Sequence, residues 1–145
     1  MQPETLKMIY YAYFHSLINY GNIAWGGAYS NYLSLLQTLQ TRLLKIINKN
    51  TFSQNNPLNL EQLFNYNCLL FYYDKLTEEF SKSAKITRFK LIELPSKKKP
   101  ITNKNNYYIA VRAFNSLPNE LKILTKNVKN ERKQKLKDWI VSTIY

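Results

Sequence analysis

The groups in this chain that could do covalent or metal chemistry are few and scattered. Cys68 is the one cysteine and His15 the one histidine. Any nucleophile–base pair would have to be assembled around His15, and no Cys/His zinc site can be built from this chain alone. His15 shares a half-apolar strip with Met8, Tyr11 and Ala12, a setting that predicts a hydrogen-bonded core histidine rather than a general base. Asp74 stands in Phe71-Tyr72-Tyr73-Asp74-Lys75, where Lys75 occupies the place of a second carboxylate, and the other aspartate, Asp138, is 64 residues further on. Two-metal phosphoryl transfer needs several carboxylates converging on one point, and two Asp and seven Glu spread over helical surfaces do not supply them. Gly21, Gly26 and Gly27 are all the glycine present, so no Gly-rich phosphate loop exists elsewhere. The chain is expected to be no enzyme by itself, with no catalytic residue, no metal, no cofactor and no small-molecule substrate. Cys68, among Leu69, Leu70 and Phe71, reads as a small core hydrophobe.

Positive charge is what the chain has in quantity, and it is uneven. Residues 1–80 hold five basic against five acidic residues, so the whole net charge of +12 lies in residues 81–145. Within that half, Lys126, Lys129, Lys133 and Lys137 follow i, i+3, i+7, i+11 along one side of a helix. Such a row can track a nucleic-acid backbone, each neutralised phosphate adding to a salt-dependent affinity. A second basic stretch is Ser96-Lys97-Lys98-Lys99-Pro100 with Lys104, and a third is Arg42, Lys45 and Lys49 beside Thr38. For the third group an ordinary solvated helix face outweighs phosphate contact. For the lysine run, solubilising loop, linker, targeting signal and plain surface together weigh as much as phosphate binding. Nothing in these rows reads bases, so the partner they imply is an RNA or DNA backbone, held with little sequence specificity. Trp139 and nearby tyrosines could stack on bases, but core packing is the stronger reading of Trp139.

The elements that must carry these residues follow from apolar spacing. Leu6, Ile9, Tyr10, Tyr13, Phe14, Leu17 and Ile18 predict a first helix from near Pro3, stopped by Asn19-Tyr20-Gly21. Its opposite side, Met8, Tyr11, Ala12 and His15, is half apolar and calls for a second partner. The glycines around Trp25 predict a tight connection that turns the indole into the core. A second helix is capped near Ser30-Asn31 and carries Tyr32, Leu35, Leu36, Leu39, Leu43, Ile46 and Ile47 as its inner stripe. After a polar break over residues 51–57, a third begins near Asn59. Leu60, Leu63, Phe64, Asn67, Cys68, Phe71 and Tyr72 line one of its faces, and it is expected to be the most buried. Residues 81–106 form a long irregular basic connection with room for one short strand at 87–94. Tyr107, Tyr108, Val111 and Phe114 then predict a short helix capped by Asn115, with Pro118 in the turn that follows. Val128, Arg132, Leu136, Trp139, Ile140 and Thr143 form the inner face of the last helix.

The expected fold class is mainly α, a bundle of about four to five helices with a long irregular basic connection and at most one short strand pair. Residues 1–80 make a neutral three-helix core, and residues 81–145 a basic loop and C-terminal helices packed with it as one domain. With 145 residues, 45% of them hydrophobic, the material suffices for a core. The absence of an apolar run of about 18 residues or of a leader signal predicts a soluble, intracellular protein with no membrane partner.

Two groups of residues also carry a family resemblance. Tyr10, His15-Ser16-Leu17, Tyr20-Gly21 and Trp25-Gly26, followed by a Leu/Gln helix, resemble the region just downstream of the polymerase core in jockey-like non-LTR retrotransposon reverse transcriptases. Leu94-Pro95, Asn106-Tyr107-Tyr108 and Ala113-Phe114-Asn115-Ser116-Leu117-Pro118, with Leu121-Lys122 after them, resemble the closing segment of the same proteins. There a tyrosine-led helix ends in an Asn-x-Leu-Pro turn before a last basic helix. The two matches together span nearly the whole chain in order. The resemblance implies a C-terminal fragment of an RNA-directed DNA polymerase, a mobile-element protein. Its role would be support and handling of template and primer, with the catalytic carboxylates in palm and fingers upstream and Met1 the start of a truncated frame. Two other expectations stand beside it: a self-standing basic helical module that binds RNA or DNA, and an interaction scaffold docking through its aromatic first helix.

Overall fold

The computed structural model describes residues 3–27, 30–48, 57–83, 91–92, 105–122 and 129–143. Among them every regular element is helical, the mainly α class that the apolar spacing predicts. The chain forms two compact units, Met1–Phe64 and Asn65–Tyr145. This division falls inside a helix, Leu60–Ser83, whereas the charge changes near residue 80. Net charge is a property of surfaces and compactness a property of buried side chains, so the two boundaries need not coincide.

The first unit opens with α1 (Pro3–Ile9), which runs through a π-helical turn (Tyr10–His15) into α2 (Ser16–Asn19). The π turn decides which face is buried. Its i→i+5 hydrogen bonding rotates each residue less than an α turn does, so residues four apart stay aligned. Leu6, Tyr10, Phe14 and Ile18 therefore share the inner side, Tyr10 and Ile18 fully buried. Ile9, Tyr13 and Leu17, expected on the same stripe, are exposed instead. Met8 and Tyr11 are exposed as well, and His15 is half-buried with its ring 5.4 Å from that of Tyr11.

Gly21 turns the chain with φ 63°, a backbone state that suits glycine, and α3 (Asn22–Trp25) follows. The Trp25 indole does not enter the core: it is half-buried, and its Nε1 donates to the Tyr20 carbonyl at 3.1 Å. The close approach belongs to Gly26. A Cβ there would run into the Phe64 ring and come within 2.6 Å of the Asn22 carbonyl oxygen.

The long helix α4 (Ser30–Asn48) is rotated from the expected orientation. Its buried positions are Gln40 and Ile47, with Leu33, Leu36, Gln37, Leu43 and Leu44 half-buried around them, whereas Tyr32, Leu35, Leu39 and Ile46 face outward. The reason is polar. Gln40 Nε2 donates to the Leu58 carbonyl at 2.9 Å and to Tyr10 Oη at 3.2 Å, and Gln37 Oε1 accepts from the Leu60 amide at 3.2 Å. These two glutamines satisfy the backbone of the segment that leads into α5 (Leu60–Ser83), and buried peptide groups need such partners. The start of α5 is fixed by Asn59 and Gln62: Asn59 Oδ1 accepts from the Gln62 amide at 2.8 Å and Gln62 Oε1 from the Asn59 amide at 3.0 Å, a reciprocal capping box.

In the second unit the rest of α5 packs with α6 (Asn106–Ser116), α7 (Asn119–Lys122) and α8 (Lys129–Thr143). Leu69, Tyr73, Leu76 and Phe80 form the buried track of α5, and the Phe114 ring meets Tyr73 and Phe80 edge-on at 5.7 and 5.9 Å. Phe71, expected on the inner face, is 67% exposed, because the track turns by way of Leu69 and Tyr73 instead. On α8 the buried residues are Arg132, Leu136 and Ile140, as spacing predicts, while Thr143 is exposed and Val128 lies outside the described residues.

Asn115 does not cap α6. It remains helical, no described non-glycine residue has positive φ, and its side chain points sideways to hold Ile92. Its Oδ1 accepts from the Ile92 amide at 3.0 Å and its Nδ2 donates to the Ile92 carbonyl at 2.9 Å. A primary amide matches a peptide group donor for acceptor, so one side chain satisfies an isolated backbone residue as a neighbouring strand would. Of the strand considered at 87–94 only Leu91 and Ile92 are described, and neither is in a strand.

Two substitutions test the first unit. Gln40→Leu keeps the volume but orphans the Leu58 carbonyl, and is expected to lower unfolding stability by about 1–3 kcal/mol in urea titrations. Gly26→Ala is expected to cost about the same through overpacking against Phe64. Unchanged urea midpoints would contradict both assignments.

Candidate nucleic-acid interface

The basic residues divide by what they touch. Arg132 is buried, with Nη1 2.9 Å from Asp74 Oδ1 and its guanidinium carbon 4.5 Å above the Tyr73 ring. Tyr73 in turn donates its hydroxyl to the Leu121 carbonyl. Asp74, the carboxylate that superficially resembles part of a metal-binding pair, is therefore an ion-pair partner on a helix. Lys122 is also buried: its Nζ donates to the Asn115 carbonyl at 2.9 Å and lies 5.6 Å from the centre of the Phe80 ring. Burial holds its pKa below the usual lysine value, while the carbonyl it binds belongs to the last turn of α6, where a helix attracts cations.

The row expected on the last helix is partly in view. Lys133 is exposed and Lys137 half-buried on α8. Lys129 belongs to the same helix but its side chain lies outside the described residues, as does Lys126 altogether. Elsewhere on α8, Lys135 pairs with Glu131 at 2.5 Å and Gln134 Nε2 donates to Asp138 at 2.8 Å, so these acids are engaged by their own neighbours. Among the described residues neither Lys133 nor Lys137 has a carboxylate partner. Arg42 and Lys45 are exposed on α4 of the first unit, between its outward Leu39 and Ile46. Lys49, Lys97, Lys98, Lys99 and Lys104 lie outside the described residues.

Two further titratable groups are held by burial or by a neighbour. Cys68 is fully buried and its thiol is pushed up to about 12 by that burial. Tyr107 donates to Glu79 Oε2 at 2.6 Å, with Lys75 Nζ 4.6 Å over its ring. Burial, then the hydrogen bond and negative charge of Glu79, push this phenol up to about 12. Among the described residues no three His, Cys, Asp or Glu side chains come together as a metal site, and no helix is long and apolar enough to cross a membrane. No family model, curated protein or solved structure matches the chain.

Sequence spacing placed Arg132 on the inner face of its helix. It missed the partner Asp74, 58 residues away, and missed Lys122 altogether. No local pattern marks a lysine that will reach back to cap the preceding helix.

Three measurements follow from these contacts. Asp74→Ala strands a buried guanidinium, whereas Arg132→Met leaves a half-exposed carboxylate that water can serve. Asp74→Ala is therefore expected to destabilise more, by about 1–3 kcal/mol, and the reverse ranking in urea titrations would contradict the burial argument. Native Cys68 is expected not to react with a thiol reagent at pH 8 and to react at once in urea. Raised phenol and thiol pKa values mean that the folded state holds protons which the unfolded state releases, so this stabilisation is complete below about pH 8.5 and lost as pH climbs towards 12. Lys122 acts in the opposite sense, its lowered pKa adding stability as pH rises to about 10.4. Tyr107→Phe is expected to make the alkaline loss of stability shallower, read as the urea midpoint between pH 9 and 11.

Proposed function

We propose that this chain is the C-terminal region of a non-LTR retrotransposon reverse transcriptase of the jockey-like kind. It lacks the catalytic palm, performs no chemistry itself, and supports the polymerase while touching template and primer through phosphates. The observation that carries the reading is the use made of the resemblance-bearing residues. Tyr107 and Tyr108 open α6, Asn115 holds Ile92, Leu117-Pro118 ends the helix, and Leu121 and Lys122 tie the next turn back through Tyr73 and Asn115. An Asn-x-Leu-Pro segment with that many backbone obligations is one a family would keep for structural reasons, and a basic helix follows it, as in the proteins it resembles.

Phosphate contact rests on α8, where Lys133 and Lys137 project without acidic partners among the described residues. Binding of labelled poly(U) is expected at about 50 mM salt and is expected to weaken steeply by about 200 mM. The double variant Lys133→Glu/Lys137→Glu should lower the slope of log K against log salt by about 1.4, at roughly 0.7 per contact on a single strand. No binding, or binding indifferent to salt, would remove nucleic-acid contact from the account. The fragment reading has its own test: genomic sequence just upstream of Met1 is expected to hold a frame with Tyr-x-Asp-Asp, intact or decayed. Its absence with RNA binding intact would leave a self-standing basic helical module.

A further inference from the structure

We propose that the outward face of α4 is a docking seam for an amphipathic helix of another protein, one that carries acidic residues beside its apolar ridge. Tyr32, Leu35, Leu39, Arg42 and Ile46 follow one another at alternating steps of three and four, the seam of a coiled coil. The four apolar members are 72%, 73%, 47% and 55% exposed, although the adjacent stripe of the same helix is anchored by Gln40 and Ile47. Single exposed leucines are ordinary on a protein surface, but a continuous ridge on an anchored helix marks a surface that is covered in use. This inference stands apart from phosphate contact by α8.

The charges choose the occupant. Arg42 takes a core position of the seam, exposed Lys45 lies on its flank, and α4 contains no acidic residue. A partner helix must offer a carboxylate opposite Arg42, because a guanidinium closed into an apolar seam without one is costly. A second copy of this chain fails that requirement. Pairing α4 with itself in parallel sets Arg42 against Arg42, and antiparallel pairing over the whole seam centres on Leu39 and sets each Arg42 against Leu35, so neither arrangement offers it a carboxylate. A lipid surface suits it poorly as well: an interfacial helix keeps its basic residues on the polar face, and here Arg42 stands within the ridge itself, in line with Leu39 and Ile46.

The probe is a labelled synthetic helix of about three heptads, with Leu at the seam, Glu on the flanks and one Glu in the seam to face Arg42. Its control carries Lys for every Glu. Titrated with the full chain and read by fluorescence anisotropy, the acidic peptide is expected to bind at least about 10-fold more tightly than the control. Arg42→Glu should reverse the preference, and Leu39→Asp should abolish binding of both, with helical circular dichroism and melting unchanged because both positions are exposed. Equal binding of the two peptides, binding of neither, or a preference untouched by Arg42→Glu overturns the proposal. So does a dimer in sedimentation that Leu39→Asp dissociates, which would make the occupant a second copy. Capture by phosphatidylcholine–phosphatidylserine vesicles that Leu39→Asp removes would make it lipid, and loss of poly(U) binding in Arg42→Glu would return that arginine to nucleic acid.

Discussion

The constraint on which the structure depends is that α5 is apolar around most of its circumference. Leu60, Leu63 and Phe64 are buried in the first unit, and Cys68, Leu69, Tyr73, Leu76 and Phe80 in the second. A helix of this kind cannot rest on a single neighbour, since any uncovered side leaves large apolar area in water at about 25 cal/mol per Å². Within the first unit the requirement accounts for Gly26, whose missing side chain makes room for Phe64. It accounts too for the two α4 glutamines, which satisfy the backbone where the chain enters α5. Within the second unit it accounts for the Phe114 ring between Tyr73 and Phe80, and for a long basic side chain laid over Tyr73.

The same demand absorbs the residues that look chemically useful. Asp74 faces Arg132 in place of a metal, Cys68 is sealed as a hydrophobe, and Tyr107 shares its proton with Glu79 under the cover of Lys75. Lys122 closes the end of α6. Asp74, Tyr107 and Lys122 are each engaged by a neighbour, and Cys68 is enclosed by burial. Among the described residues the basic half is thus part scaffold, in Arg132 and Lys122, and part surface, in Lys133 and Lys135.

Much of this was legible in the amino-acid sequence where one local rule decides. The polar break over residues 51–57 sets the start of α5 near Asn59, and the spacing of Arg132, Leu136 and Ile140 marks the inner face of α8. The errors arise where two answers share one period. Along α4, leucines at steps of three and four line two adjacent stripes, and the choice between them was made by Gln40, a polar residue that reads as surface until its distant partners Leu58 and Tyr10 are known. Along the first helix the π turn shifts the register, and no residue type announces it. Asn115 escapes the local rule because its propensity to cap helices says nothing of the remote Ile92 backbone that its side chain serves. Of the candidate phosphate contacts, α8 and α4 could be placed on helix faces from spacing, whereas the lysine run near residue 98 has no periodicity to place it.

Within the second unit α5 is the buried element against which the other helices pack. Amide hydrogen exchange of the full chain, followed residue by residue, tests this most directly, because the last amides to exchange report the elements that open only on global unfolding. The amides from Leu69 to Phe80 are expected to exchange last, later than those of α4 or α8. Exchange of that stretch as fast as that of α4, with its ridge of exposed apolar residues, would contradict it.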